Sequence, residues 1–155
     1  MTVDVKAKLS ELGIELPEAA VPVAAYIPAV RTGNLVITAG QLPLVKGAIP
    51  YIGKVDGEVT PEQAKEMAQV CALNAIAAAA LVCDINNIER VVQVRGFVNG
   101  VSGFLGHPGV VNGTSELFIK IWGDEKGKHA RTAIGVAELP LNAPVEVEVI
   151  FELCC

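Results

Sequence analysis

An α+β fold, with a mixed β-sheet backed on one face by two helices, is the class that the sequence predicts. Three observations support it: a strongly capped helix start after residue 59, an apolar residue at every second position near the C-terminus, and the order of the segments between them. The chain has 155 residues, a length that suits one domain with a sizeable core.

The first strand pair is predicted to start near Tyr26 and to end with the β-rich run at residues 35–38. Residues 31–34 (Arg-Thr-Gly-Asn) separate the two strands, and this composition is typical of a hairpin turn because Gly and Asn tolerate positive φ. One further short strand is expected at residues 51–52, within a glycine-rich loop. With the strands described below, the predicted sheet has six strands.

A long helix is predicted from Thr60 to about Cys83. Thr60 is a suitable N-cap, Pro61 fits the first helical position, and Gln63 completes a capping box. Small and apolar residues recur at helical spacing, so this helix can lie close to the sheet.

The remaining elements alternate in a simple order. Residues 88–98 form an apolar strand, residues 104–113 read as a Gly/Pro loop, and a second helix begins at Thr114 or Ser115 and ends at Gly123. Residues 131–139 and 145–153 form the last two strands. In the final strand, one face is apolar: Val145, Val147, Val149, Phe151 and Leu153.

The domain organisation is predicted to be simple. Residues 1–22 form a short N-terminal helix and an extended segment, and residues 23–155 form a single domain. Residues 1–12 alternate charged and small residues without a basic start and an apolar stretch, so a cytoplasmic location is expected.

The composition favours a homo-oligomer. Apolar residues make up 52% of the chain and charged residues only 19%. No run of about 18 apolar residues occurs, so we expect no membrane span. Surplus apolar surface on such a chain is typical of a subunit interface, and the sheet face opposite the helices also needs a cover.

Charge and motif content exclude several classes of function. The net charge is −5 with scattered Lys and Arg residues, which disfavours nucleic-acid binding. The chain lacks a phosphate-binding loop, a nucleophile elbow and a dinucleotide fingerprint. Its four cysteines match neither zinc nor disulfide spacing, and its two histidines, His107 and His129, are weak evidence for a metal. We predict no metal site.

Arg131 is the most informative charged residue, because it opens an otherwise apolar strand. A buried arginine keeps its charge, so it must pair with an acid or face a cleft that accepts an anion. Glu146 and Glu148, one strand period apart, are the candidate acids. Sequence physics leaves both alternatives open.

Four segments together resemble the reactive intermediate deaminase family, also called the YjgF/YER057c/UK114 family. They are residues 34–43 (NLVITAGQLP), Asn74, residues 130–140 (ARTAIGVAELP) and residues 145–148 (VEVE). The resemblance extends over about residues 23–153. The N-terminal helix is typical of a separate long branch.

The resemblance implies a chorismate-mutase-like fold, in which three subunits join their sheets into a barrel with three clefts between neighbours. It also implies hydrolysis of reactive 2-imino acids, or their enamine tautomers, to 2-keto acids and ammonia without a cofactor. An alternative is a non-catalytic module that binds small carboxylates or keto acids in the same clefts. An endoribonuclease or translation inhibitor is disfavoured by the acidic charge.

The resemblance also implies residue roles. Arg131 matches the family's carboxylate-binding arginine and Glu146 its water-orienting acid, which makes these two the predicted catalytic residues. Tyr26 matches a cleft tyrosine, and Asn112 a cleft asparagine.

Two predicted substrate-binding positions depart from the family pattern. Ala39, before Gly40, replaces the usual serine, and Ala133 replaces the usual cysteine two residues after the arginine. Only backbone groups could serve the substrate at Ala39, Gly40 and Ala133.

Overall fold

The computed structural model describes residues 2–22 and 24–155, which contain three α-helices and five β-strands. Met1 and residue 23, where the predicted domain boundary falls, lie outside the described residues. The helices are α1 (Val5–Glu11), α2 (Pro61–Ala79) and α3 (His107–Gly127). The strands are β1 (Ala29–Thr32), β2 (Leu35–Thr38), β3 (Ile88–Val98), β4 (Ala130–Gly135) and β5 (Val145–Leu153).

The strands form one mixed sheet with the order β1-β2-β5-β3-β4. All neighbours are antiparallel except β3 and β4, which are parallel and joined through α3. The hairpin turn between β1 and β2 lies at Gly33 and Asn34, as predicted, with Gly33 at positive φ. The predicted class, a mixed α+β sheet backed by helices, is confirmed.

Helices α2 and α3 lie together on one face of the sheet, above the buried side chains of β5. The predicted capping box of α2 is present, since Thr60 and Gln63 exchange two hydrogen bonds. In β5 every odd-numbered residue from Val145 to Leu153 is buried, which confirms the predicted core face. The aromatic rings of Phe118 and Phe151 meet edge to face, 5.7 Å apart, in the centre of this core.

The predicted sixth strand is absent from the described sheet, which has five strands. Residues 51–52 lie in a turn-rich segment, because Gly47 and Gly53 adopt positive φ and interrupt the extended backbone. The first strand starts at Ala29 and not near Tyr26. Pro28 precedes it and has no N–H to donate to a ladder.

Helix boundaries also differ from the prediction. Helix α3 begins at His107, within the predicted loop, because Pro108 fits a first helical turn and Val110 and Val111 are buried against the sheet. Gly123, the predicted end, has φ 77° and kinks the helix. Helix α2 stops at Ala79 and β4 at Gly135, each four residues before the predicted end.

Helix α1 packs into the same hydrophobic core as the sheet. Its Val5 and Leu9 are buried, and the Val5 backbone N–H donates to the Oδ1 of Asn86, 3.0 Å away. None of the described helices is both long and apolar enough to cross a membrane.

Candidate functional site

Arg131 projects from β4 towards α3. Its partner in β3 is the fully buried Val94, so the arginine shares the helix-covered face of the sheet. Its Nη1 donates to the Oδ1 of Asn112 at 2.7 Å and to the Oγ of Ser115 at 3.3 Å. These two residues are three apart in α3, so they share one face of that helix.

The alternative of an ion pair between Arg131 and Glu146 or Glu148 is not found within the chain. Glu148 pairs with Arg95 at 3.0 Å instead. No carboxylate of the described residues lies within 4.0 Å of the Arg131 guanidinium.

The guanidinium of Arg131 has one edge held and one edge open. Arginine carries five N–H donors, and both Nη1 hydrogens have acceptors on α3. Nε and Nη2 have no hydrogen-bond partner among the described residues. Adjacent N–H groups of this kind bind a carboxylate through two parallel hydrogen bonds.

Ser115 links Arg131 to His129. The Ser115 Oγ lies 2.9 Å from His129 Nε2, and His129 Nδ1 lies 2.6 Å from the Gly127 carbonyl oxygen. Since a carbonyl only accepts, Nδ1 carries the proton, and in the neutral ring Nε2 accepts from the Ser115 hydroxyl. Burial lowers the pKa of His129, and the charge of Arg131 adds to that effect.

Glu146 belongs to a second group of predicted site residues, around Gly40. A Cβ at Gly40 would lie 2.9 Å from the Cδ of Glu146, so the carboxyl group lies directly against this glycine. Gln41 and Val147 exchange backbone hydrogen bonds of 2.8 and 3.1 Å, which fix the two segments together. Burial raises the pKa of Glu146, and the neighbouring charge of Glu148 raises it further.

The other predicted residues lie close to one or the other of these groups. Ala133 lies beside Gly96, on the same face as Arg131. Ala39 donates its N–H to the carbonyl of Pro28 at 2.8 Å, and the exposed Tyr26 lies two residues before that proline. Among the described residues, no group of three or more His, Cys, Asp or Glu side chains could hold a metal ion.

A single subunit does not bring all the predicted site residues together. Glu146 alternates with the buried Val145 and Val147, so it lies on the sheet face opposite Arg131. The register links Glu146 to Phe97 and Ile134, which places its Cα about 14 Å from that of Arg131. We therefore define an arginine cluster (Arg131, Asn112, Ala133) and a glutamate cluster (Ala39, Gly40, Glu146), and Tyr26 belongs to neither by a described contact.

Ser115 and His129 are site residues that sequence reasoning missed in this role. The sequence alone suggests Ser115 only as a possible helix cap, and it gives only weak evidence for His129 as a metal ligand. Two spacings in the sequence could have indicated this group: Asn112 and Ser115 are three residues apart, and Arg131 follows His129 by two residues.

The fold and these clusters define a class of protein: an α+β chain whose edge strand β4 carries an arginine with one guanidinium edge held by α3. The family model described as "YjgF/chorismate_mutase-like, putative endoribonuclease" matches residues 6–153. The chain belongs to this YjgF/chorismate-mutase-like family, as the resemblance predicted.

Individual relatives cover nearly the whole chain. The chain is 37% identical over 150 residues to Protein TCP17 of Trypanosoma cruzi, covering 96% of this chain and 94% of the relative. It is 28% identical over 130 residues to the 2-iminobutanoate/2-iminopropanoate deaminase of Escherichia coli strain K12, covering 81% and 84%. The solved structure of "protein Atu1372 with unknown function" from Agrobacterium tumefaciens is 40% identical, with a TM-score of 0.86, covering 97% and 94%.

Proposed function

We propose that this protein hydrolyses reactive 2-imino acids, or their enamine tautomers, to 2-keto acids and ammonia, without a metal or an organic cofactor. The observation that carries this proposal is the open Nε and Nη2 edge of Arg131, whose Nη1 is held by Asn112 and Ser115. A relative that carries the name of this activity supports the choice of reaction.

The reaction needs little beyond orientation. An imine carbon is already electrophilic, so the enzyme has to fix the substrate carboxylate and direct a water molecule at that carbon. Arg131 fixes the carboxylate. Glu146 takes a proton from the water as the C–O bond forms and passes it to the imine nitrogen, which gives a carbinolamine. It then takes the hydroxyl proton as the C=O bond forms and passes it to the same nitrogen as the C–N bond breaks, so both water hydrogens leave with ammonia and the keto acid remains.

We place each active site between two subunits of a homotrimer. The arginine and glutamate clusters lie on opposite faces of one sheet, so a second copy is needed to bring them together. The open face also exposes large apolar side chains: Val30 (47% exposed) on the edge strand β1, Ile37 (41%) on its neighbour β2 and Ile134 (45%) on the edge strand β4. A head-to-tail contact repeated three times would close a ring and cover these residues.

A second candidate is a non-catalytic module that binds keto acids or other small carboxylates in the same clefts. Ala39 and Ala133 favour it, because neither side chain can supply the hydroxyl or the thiol of the serine and cysteine that are usual in the family at these positions. Ammonia release from freshly generated 2-iminobutyrate, measured beside pyruvate binding, distinguishes the two. Binding without ammonia release would select the module.

The test of the site is Arg131→Ala. Loss of the bidentate contact should lower kcat/KM for 2-iminobutyrate by about 30- to 1,000-fold, which corresponds to roughly 2 to 4 kcal/mol. Arg131→Lys should restore little, because an ammonium is a point charge and not a planar fork. The measurement is initial-rate ammonia release.

Arg31→Ala is the matched control, because Arg31 lies in the exposed β1-β2 hairpin, where its Nε donates to the Gly33 carbonyl, and belongs to neither cluster. It should keep wild-type kcat/KM. Light scattering and a thermal melt should show that both variants assemble like the wild type. A fully active Arg131→Ala protein would remove the basis of the proposal.

A further inference from the structure

The held edge of Arg131 depends on a chain of side chains that extends beyond the arginine cluster. Arg131 Nη1 donates to Ser115, Ser115 donates to His129 Nε2, and His129 Nδ1 donates to the Gly127 carbonyl. This series of hydrogen bonds ends on the backbone carbonyl of Gly127, which fixes the orientation of the His129 ring. Phe118 adds an edge-to-face contact with the His129 ring at 6.0 Å.

We propose that Ser115 and His129 are positioning residues for Arg131, which keep its Nε and Nη2 edge directed at the substrate carboxylate. Neither residue needs to touch the substrate. This inference deepens the proposed function and rests on it for the identity of the ligand.

Counting donors and acceptors explains why the histidine must be neutral. A neutral His129 with its proton on Nδ1 accepts a hydrogen bond from the Ser115 hydroxyl through Nε2, so the lone pairs of Oγ remain for Arg131. A protonated His129 would donate from both nitrogens. Ser115 would then have to accept from two cationic groups at once, and the arginine contact would weaken.

The charges around His129 favour the neutral ring. Arg131 of β4 lies one hydroxyl away, and Arg90 of β3 and Lys128 line an open cleft to which His129 also contributes. Two acids oppose them: Glu152 of β5 lines the cleft, and Asp124 of α3 is paired with Lys128 at 2.8 Å. The pKa of His129 is lowered, mainly by burial, so the ring is neutral at pH 7.

The kinetic test compares Ser115→Ala, Ser115→Thr and His129→Phe. Removing the hydroxyl should raise the KM for 2-iminobutyrate and the Kd for pyruvate about tenfold, while kcat stays within about twofold, because Arg131 binds the carboxylate in both ground and transition states. Ser115→Thr keeps the hydroxyl and should restore most of the affinity. Ser102→Ala, in an exposed turn, is the control and should leave KM and Kd unchanged.

The double variant Ser115→Ala/His129→Phe tests whether the two residues act as one unit. Its Kd for pyruvate should match that of Ser115→Ala alone, because His129 acts only through the hydroxyl. Wild-type Kd should rise as pH falls through the pKa of His129, and this rise should be absent from His129→Phe. Unchanged affinity in Ser115→Ala, or effects that multiply in the double variant, would overturn the proposal.

A spectroscopic test is independent of any activity. The chain has only two histidines and four arginines, so their side-chain ¹⁵N signals can be assigned by substitution. The neutral His129 ring should be protonated on Nδ1. The two Nη signals of Arg131 should be distinct in the wild type, and the Nη1 signal should move in Ser115→Ala, where only the Asn112 contact remains.

These spectra separate the two possible failures. If the wild type neither releases ammonia nor binds pyruvate, the proposed function fails. The positioning proposal then stands or falls on the spectra alone, and Arg131 signals that do not change in Ser115→Ala would overturn it.

Discussion

At the scale of single residues, Glu146 shows how placement adjusts an ordinary carboxyl group. Its side chain is half-buried against Gly40 and two residues from Glu148, and both conditions disfavour the ionised form. Arg95 pairs with Glu148 and not with Glu146, so no ion pair among the residues that the structure describes offsets the effect. The pKa of Glu146 is therefore raised, which makes its carboxylate a better proton acceptor.

This shift predicts the acid side of the pH profile. Glu146 must be ionised to accept a proton from water, so kcat for 2-iminobutyrate should fall as pH drops through its raised pKa. Glu146→Gln should lose most activity at every pH. The measurement is kcat from about pH 4 to about pH 8, because carboxyl groups and histidines titrate in this range.

Glu148→Gln provides the matched control for the shift. Removal of the neighbouring charge should lower the pKa of Glu146, so the acid limb of kcat should move to lower pH while the plateau stays. An acid limb at the wild-type position would show that Glu146 is not the titrating group.

The residues of the site were predicted unevenly. The position of Arg131 at the start of an apolar strand, and the resemblance to a family, were sufficient to select it. Ser115 and His129 were not predicted, because their role depends on which face of α3 packs against β4. This packing is a tertiary property. Alternation along a strand likewise could not show that Arg131 and Glu146 lie on opposite faces.

At the scale of elements, helix α3 is where prediction and structure differ most. Gly109 and Gly113 made residues 104–113 look like a loop, yet they serve different purposes in the helix. A Cβ on Gly113 would collide with the carbonyl oxygen of Lys65 in α2, whereas a Cβ on Gly109 would meet nothing. Gly113 is thus required for close packing of the two helices, and packing outweighs its poor helix propensity.

This contrast predicts opposite effects of one substitution at two sites in the same helix. Gly113→Ala should force α2 and α3 apart and lower the free energy of unfolding by about 1 to 3 kcal/mol. Gly109→Ala should raise it by about 0.5 to 1 kcal/mol, because only the gain in helix propensity remains.

Urea unfolding of both variants, at the same protein concentration as the wild type, tests this prediction. Thr114 is an independent sign that α2 and α3 are in close contact here, because its hydroxyl donates to the Ala68 carbonyl at 2.6 Å. Equal stabilisation by both alanines would mean that the helices can separate without loss of packing.

At the scale of the whole molecule, the sequence predicted the α+β class and the core face of β5, and its prediction of a partner stays a prediction. It could not fix the number of strands, because the short apolar pieces near residues 51–52 resemble a strand until the positive φ of Gly47 and Gly53 is known. The separation of the arginine and glutamate clusters was also hidden, since it follows from the strand order β1-β2-β5-β3-β4.

The separation leads to a prediction about mixed oligomers. In a homotrimer whose clefts join the arginine cluster of one subunit to the glutamate cluster of the next, Arg131→Ala and Glu146→Gln subunits should complement each other. Each subunit carries one intact cluster, so some clefts in a mixed ring contain both Arg131 and Glu146. With equal amounts and random assembly, about a quarter of the clefts should be intact, and about a quarter of wild-type activity should return.

The experiment unfolds the two inactive variants together, refolds the mixture and measures ammonia release from 2-iminobutyrate. Light scattering confirms that the refolded species has the mass of three chains. The double variant Arg131→Ala/Glu146→Gln, mixed with wild type, is the control, since it can only dilute intact clefts and never create them. If both residues served one site within a single subunit, refolding the two single variants together would recover no activity, because no subunit would carry both side chains.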